Sequence, residues 1–163
     1  MIKVDSVSGG AALSPGRESS CKIGRDRSAA RTQEKSMKRE MLRAKVHRIR
    51  VTEANLEYEG SLTLDAELMQ AGDFRVYEKV DVYNVTRGTR FTTYLIEGER
   101  GSGVCCVNGA AAHLAAADDL VIVASYATVE ESEIANHRPL VVLVDAKNRL
   151  REIKQTELAS ARA

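Results

Sequence analysis

Alternating apolar and polar residues from position 42 onward predict a long first strand. From Leu42 to Val46 every second side chain is apolar, and the alternation resumes at Ile49 and Val51. The phase changes across His47-Arg48, and a β-bulge within a strand produces such a change. We therefore predict one bulged strand at the start of the compact domain.

Further short β-rich segments follow, separated by turn residues, and only a few stretches have helical character. Asp65 is a suitable N-cap for a short helix that ends at Gly72. Helical turns are also expected at 109–116 and 130–136, and the chain after Asp145 is polar. The predicted strands are 62–64, 80–85, 90–96, 104–107, 120–126 and 140–144. Many short strands without β-α-β alternation predict a mainly β fold, a closed or nearly closed barrel.

Length and composition indicate one soluble globular domain. The 163 residues are 44% hydrophobic and 29% charged, and no stretch approaches the ~20 apolar residues that span a bilayer. The first residues lack the apolar core of a signal peptide, so we expect a cytoplasmic protein with no membrane partner. The odd number of cysteines predicts reduced thiols, and the three scattered histidines predict no metal site.

Basic residues are concentrated early in the chain, although the formal net charge is only +1. More than half of the Lys and Arg residues precede residue 51. Residues 1–36 lack periodicity and any aromatic side chain that could stack on a base, which favours a disordered basic tail over an RNA-binding arm. We expect this tail to lie outside the working domain at 37–163, and a start codon assigned too far upstream would account for it.

The stretch Tyr58-Glu59-Gly60-Ser61 carries candidate chemistry, because a serine follows a glycine between two strand-like segments. Gly60 has no Cβ, so the peptide bond after it can be held in a strained form. If the Ser61 hydroxyl attacks the carbonyl carbon of Gly60, the amide rearranges to an ester. β-Elimination then cuts the chain, and hydrolysis of the resulting dehydroalanine leaves a pyruvoyl group. Gly-Ser is also an ordinary turn pair, so the dipeptide alone does not distinguish a self-cleaving site from a turn.

Several separate blocks in the same register resemble one family. The blocks are Lys45-Val46-His47-Arg48, Asn84-Val85-Thr86, Arg90-Phe91-Thr92-Thr93-Tyr94, Glu99-Arg100-Gly101-Ser102 and Val107-Asn108-Gly109-Ala110-Ala111-Ala112-His113. Together with Gly60-Ser61 they resemble the pyruvoyl-dependent L-aspartate 1-decarboxylases, from about Met37 to the C-terminus. The agreement of several blocks is far more specific than any one of them.

The resemblance implies a double-psi β-barrel that cleaves itself between Gly60 and Ser61 and assembles as a homotetramer with active sites between subunits. The expected reaction converts L-aspartate to β-alanine and CO₂, for pantothenate and coenzyme A synthesis. The covalent pyruvoyl group derived from Ser61 serves as the cofactor. Whether cleavage is spontaneous or needs a maturation protein stays open.

The resemblance also implies roles for individual residues. Ser61 and Tyr94 are the expected catalytic residues, with Tyr94 as the proton donor. Asn108 and Thr93 are expected to stabilise the oxyanion during cleavage, with support from His47 and Tyr58. The expected substrate contacts are Lys45, Arg90, Thr93, Gly109, Ala110 and Ala111, of which Arg90 is suited to bind a carboxylate through two N–H donors.

Two departures from the family pattern are Tyr83, which stands where an indole is common, and the pair Cys105-Cys106 in a short strand. Neither is expected to touch the assigned chemistry. Two other functions stay open at this stage. One is an RNA-binding barrel with a basic arm, and the other is a pyruvoyl decarboxylase of another acidic amino acid such as glutamate.

Overall fold

The computed structural model describes residues 37–59 and 61–156. The predicted tail at 1–36 and Gly60 itself therefore lie outside the described residues. The described part forms nine strands, whose bounds are β1 Lys38–Arg50, β2 Glu53–Asn55, β3 Leu62–Asp65, β4 Lys79–Asn84, β5 Arg90–Gly98, β6 Cys105–Asn108, β7 Leu120–Glu130, β8 Leu140–Val144 and β9 Leu150–Lys154. One α-helix, α1, spans Ala66–Ala71, and two 3₁₀ turns span Gly109–His113 and Ile134–Asn136.

The nine strands form one sheet in the order β2-β6-β3-β5-β4-β7-β1-β8-β9. Three neighbouring pairs are parallel (β1 with β8, β2 with β6, β3 with β5), and the other pairs are antiparallel. Only two residues separate β1 from β2, although these strands are the seventh and the first in the order. The sheet must therefore curl until its β2 end approaches β1. The prediction of a mainly β barrel with short helices is confirmed.

The core lies inside this curled sheet. Along β1, β4 and β7 every second residue points inward, as expected of strands with one face packed and one face open. The inward side chains are small and branched, and they exclude water almost completely. Those with at most 1% of their surface exposed include Ala44, Val46, Leu62, Leu64, Val80, Val82, Leu95, Val107, Val121 and Val123.

The predicted bulge in β1 is present. The pairing of β1 with β7 shifts register between Val46 and Ile49, and Arg48 between them has a positive φ of 58°. A second shift, between Leu42 and Ala44, was not predicted. The bulge lets Val46 and Ile49 both face the core although they are an odd number of residues apart.

Helix α1 begins and ends where the sequence predicts, at Asp65 and Gly72. The Asp65 carboxylate accepts a hydrogen bond from the Glu67 N–H at 2.8 Å, which is the capping contact. It also accepts the N–H groups of Gly101 and Gly103 at 2.9 and 2.6 Å. One buried side chain therefore holds both the helix and the turn that precedes β6.

Three predicted details are wrong at the ends of elements. The helix expected at 109–116 is only a short 3₁₀ turn, because the Ala116 N–H, which an α-helix would direct to the Ala112 carbonyl, donates instead to Asp119 Oδ2 at 2.9 Å. At 130–136 only Ile134–Asn136 is helical, and β7 extends to Glu130. Strand β9 was missed because its side chains are mostly exposed and show no alternation.

We predict that Asp65→Asn lowers the free energy of unfolding by roughly 2–3 kcal/mol, because an amide NH₂ would replace one acceptor of the buried N–H donors. Urea denaturation of both proteins measures the difference. Asp118→Asn is a suitable control, since Asp118 is exposed and has a φ of 71°, which asparagine tolerates. A loss below about 0.5 kcal/mol in Asp65→Asn would contradict the assigned role of this carboxylate.

Candidate active site

Ser61 is buried at the start of β3, with 6% of its surface exposed. Its Oγ accepts a hydrogen bond from the backbone N–H of Tyr94 at 3.3 Å. Its carbonyl oxygen accepts the backbone N–H of Asn108 at 2.7 Å. The side chain and the main chain of Ser61 are thus held separately, by β5 on one side and β6 on the other.

A cavity of about 290 Å³ lies beside Ser61. Its wall combines the middle of β5, the end of β6 and the 3₁₀ turn that follows. The lining residues are Ser61, Phe91, Thr92, Thr93, Asn108, Ala110, Ala111 and Leu114. Five predicted site residues therefore meet at one small cavity, and its volume suits a small polar molecule.

Asn108 is the most constrained polar group of this wall, with 2% of its surface exposed. Its Nδ2 donates to Thr63 Oγ1 at 3.1 Å, and its Oδ1 accepts from Cys106 Sγ at 3.0 Å. Burial, with a smaller effect from Glu53, raises the pKa of the Cys106 thiol, so the thiol stays protonated and able to donate. The expectation that Cys106 does not touch the assigned residues is wrong.

The turn that follows Asn108 begins with Gly109 at a φ of 56°, a conformation that favours glycine. The chain can therefore leave β6 sharply and present Ala110 and Ala111 to the cavity. Small side chains at these two positions keep the backbone within reach of a ligand. Gly109 itself is not among the lining residues, so its contribution is to shape the turn.

A buried carboxylate, Asp119, supports the same wall. It accepts hydrogen bonds from Asn84 Nδ2 at 2.9 Å, Arg87 Nε at 2.6 Å and the Ala116 N–H at 2.9 Å. Burial acts to raise the pKa of Asp119, but these hydrogen bonds outweigh it and hold the pKa below its usual value. The ionised group orients Asn84, which in turn binds the Leu114 carbonyl at the end of the turn.

The remaining cationic and aromatic candidates share the outer face of the sheet. Arg90 pairs with Tyr83 and Thr92 with Asp81 across β5 and β4, and Asp81 pairs in turn with Ala124 of β7. Ala124 pairs with Lys45, and residues directly opposite each other point to the same side. By period-2 alternation, His47 and Tyr94 lie on this side as well. We call this surface, defined by Lys45, His47, Asp81, Tyr83, Arg90, Thr92, Tyr94 and Tyr126, the outer face.

The structure therefore divides the predicted site residues into two groups. The side chains of Lys45, Arg90 and Tyr94 are not among the described residues that line the cavity beside Ser61. His47 lines a different cavity of about 300 Å³, next to Arg48 and Arg50. Tyr58 is 54% exposed in the turn before Ser61.

Tyr94 contributes its backbone to the surroundings of Ser61 and its ring to the outer face. Its backbone N–H binds Ser61 Oγ, whereas its ring is 43% exposed and lies 6.4 Å from the ring of Tyr77, centroid to centroid. Thr93 points to the opposite side, as the alternation of the sequence predicts, and lines the cavity. Thr92 of the outer face lines the cavity as well, so the cavity adjoins the outer face at β5.

Tyr83, which the sequence placed outside the chemistry, contacts Arg90 directly. The Arg90 guanidinium lies 5.0 Å above the centre of the Tyr83 ring. The hydroxyl groups of Tyr83 and Tyr126 are hydrogen-bonded at 2.8 Å. The hairpin turn at Arg87-Gly88 was a usable signal, because it sets the register that brings Tyr83 opposite Arg90.

Within 37–59 and 61–156, no group of three or more His, Cys, Asp or Glu side chains could hold a metal ion. The two described cysteines, Cys105 and Cys106, are both free thiols. No helix in these two ranges is long and apolar enough to cross a bilayer.

Comparison with known proteins places the chain in a family. The family model described as aspartate decarboxylase matches residues 37–151. A protein of Syntrophobacter fumaroxidans named aspartate 1-decarboxylase is 60% identical over 113 residues, which are 69% of this chain and 91% of that relative. Proteins with the same name from Myxococcus xanthus and Ralstonia pickettii are 55% and 51% identical over 70% and 74% of this chain, covering 88% and 100% of their own lengths. The chain thus belongs to the aspartate decarboxylase family.

Proposed function

We propose that this chain decarboxylates L-aspartate to β-alanine and CO₂ and thereby supplies pantothenate and coenzyme A synthesis. The observation that carries the proposal is the position of Ser61. It is buried at a small cavity with its hydroxyl and carbonyl oxygens both hydrogen-bonded to backbone N–H groups. The family match supports the proposal, since it spans residues 37–151 and so includes this serine.

Maturation begins with attack of Ser61 Oγ on the Gly60 carbonyl carbon, which converts the amide to an ester. Thr93 and Asn108, both at the cavity, are the proposed groups that stabilise the oxyanion formed in this step. Loss of the Ser61 α-proton then breaks the Cβ–Oγ bond and releases the Gly60 carboxylate. Addition of water to the dehydroalanine with loss of ammonia leaves the pyruvoyl group at position 61.

Position 61 would hold the pyruvoyl group, whose ketone would supply the electron-accepting carbonyl that removal of an α-carboxylate needs. The site suits it, because position 61 is buried beside the cavity and its own carbonyl oxygen, which the conversion leaves unchanged, is held by the Asn108 N–H at 2.7 Å. The backbone of Gly109, Ala110 and Ala111 is proposed to contact the substrate. The Tyr94 hydroxyl is proposed to protonate the carbon that loses its carboxylate.

The two carboxylates of aspartate require cations, and none of the described residues lining the cavity is cationic. Lys45 and Arg90 lie on the outer face instead. We therefore infer that the outer face of one subunit completes the cavity of a neighbour within a homotetramer, and that His47 and Tyr58 support the composite site. A closed assembly of this kind repeats one contact around its symmetry axes.

Cytoplasmic location is part of the proposal. Cys105 and Cys106 are adjacent, buried and unpaired, as is usual for thiols in a reducing compartment. Burial, with a smaller effect from Cys106, raises the pKa of the Cys105 thiol to about 12, so this thiol is unreactive at neutral pH.

Ser61→Ala should remain a single inactive chain, because the attacking oxygen is gone. Intact mass measurement of the unaltered protein should give two fragments whose masses sum to the precursor plus one water minus one ammonia. Cleavage of Ser61→Ala at the same bond would disprove the mechanism.

The need for a maturation protein is tested with the purified unaltered precursor. If it cleaves without additions, the chain carries out the step itself. If cleavage requires a cell extract, a maturation protein takes part.

Tyr94→Phe should cleave normally, because its backbone N–H still reaches Ser61 Oγ. Its kcat for aspartate should fall by roughly 10²- to 10⁴-fold, the usual contribution of a proton donor. Steady-state kinetics on fully processed protein measures the change, with glutamate as a comparison substrate. Full activity in the processed variant would remove Tyr94 from this role.

Co-expression of Ser61→Ala with Arg90→Ala should restore activity that neither variant has alone. The first variant keeps an intact outer face and the second an intact cavity, so with random mixing about a quarter of the composite sites would be complete. The mixed assembly is purified through two different affinity tags and assayed with aspartate. Activity no higher than in the single variants would mean that each site is built within one subunit.

A further inference from the structure

Three side chains from adjacent strands form a connected group on the outer face. Arg90 of β5 lies over the ring of Tyr83 of β4, and Tyr83 is hydrogen-bonded through its hydroxyl to Tyr126 of β7. The strands β5, β4 and β7 are neighbours in the sheet. The group therefore crosses three strands, and it runs diagonally between β4 and β7, because Ile122 and not Tyr126 stands opposite Tyr83.

The contact with Tyr83 holds the guanidinium without occupying its N–H donors. A ring face attracts a cation through its quadrupole, whereas a carboxylate partner would accept the same hydrogen bonds that a substrate needs. In the described part of the chain, no carboxylate forms an ion pair with Arg90. The nearby Asp81 instead accepts the Thr92 hydroxyl at 2.6 Å.

We propose that Tyr83 and Tyr126 form a positioning pair that orients the Arg90 guanidinium for a substrate carboxylate. The proposal rests on the function proposed above, in which Arg90 binds that carboxylate. Tyr83 and Tyr126 are positioning residues, since neither is required to touch the substrate. When a long, flexible side chain is already held in place, less side-chain conformational entropy is lost on binding.

The hydrogen bond between the hydroxyl groups also affects the pKa of Tyr83. The bond to Tyr126, with smaller effects from burial and nearby Asp81, raises the pKa of Tyr83 to about 12. Tyr83 is then a phenol throughout the neutral pH range, and a neutral ring under Arg90 does not compete with an anionic substrate.

The test measures KM for aspartate and the inhibition constant of succinate, a dicarboxylate without the reacting amine, on the fully processed and assembled protein. Tyr83→Leu removes the ring and should raise both constants about two- to fivefold with little change in kcat. Tyr83→Trp restores a ring face and should return both towards the unaltered values.

A double-mutant cycle tests the contribution of Tyr126. Tyr83→Phe and Tyr126→Phe each remove the same hydrogen bond and keep the ring, so each should raise KM by a similar and smaller factor than Tyr83→Leu. The double variant Tyr83→Phe/Tyr126→Phe should be no worse than either single one. If the factors by which the two single variants raise KM multiply in the double variant, or if Tyr126→Phe leaves KM unchanged, the role of the pair is overturned.

Phe74→Leu is the matched control, because Arg43 lies 5.3 Å above the Phe74 ring in a second arginine-aromatic pair, neither member of which is among the residues that define the outer face. Phe74 is buried, so the variant should lose stability and leave KM unchanged. An equal rise of KM in Phe74→Leu would mean that any lost ring weakens binding through the fold.

The outcomes separate this inference from the proposed function. If the unaltered protein neither cleaves at Ser61 nor acts on aspartate, the proposed function fails. If it does both, and Tyr83→Leu leaves KM and the succinate constant unchanged, only the positioning pair is refuted.

Discussion

The change of partner along β5 is the constraint on which the rest of the site depends. Its first half pairs antiparallel with β4, through Tyr94, and its second half pairs parallel with β3, from Leu95. At this junction the Tyr94 N–H is directed to Ser61 Oγ instead of to a ladder partner. A strand that stayed with one partner would leave Ser61 without this contact, and Ser61 would not be fixed beside Thr93.

The same strand separates two kinds of chemistry by its alternation. Thr93 points into the cavity, where side chains are small and the described lining residues carry no charge, while Arg90 and the Tyr94 ring point outward. An uncharged cavity suits the maturation step, which needs hydrogen-bond donors around one carbonyl. A cationic surface suits a substrate with two carboxylates. Because side chains alternate between the two sides of a strand, the nine residues of β5 contribute to the uncharged cavity and to the cationic outer face.

The sequence was informative where function depends on local order along the chain. The bulge after Val46, the cap at Asp65 and the alternation of Thr93 with Tyr94 follow from neighbouring residues, and the structure agrees with each. It failed where a contact joins distant segments. The Asp119 carboxylate, which Asn84 and Arg87 hold from more than thirty residues earlier, takes the Ala116 N–H away from the predicted helix, and no local pattern reports this arrangement. Tyr83 was set aside for the same reason, since its role depends on strand register. Cys106 is different, because its contact with Asn108 lies within β6, and the alternation of side chains along that strand could have revealed it.

Placing the cations on the outer face has a consequence for how activity would arise in the proposed assembly. In the proposed maturation, the groups assigned to the oxyanion, Thr93 and Asn108, line the same cavity as Ser61 and belong to the same chain. Binding of aspartate needs Lys45 and Arg90, which in the proposed site come from a neighbour. Maturation and catalysis then have different requirements. A cleaved but unassembled chain would hold its reactive ketone beside a cavity that lacks the charges needed to attract its substrate, and only assembly would bring the two together. The Tyr83–Tyr126 pair fits this arrangement, because a guanidinium that must enter a neighbouring cavity gains most from being oriented by its own subunit beforehand.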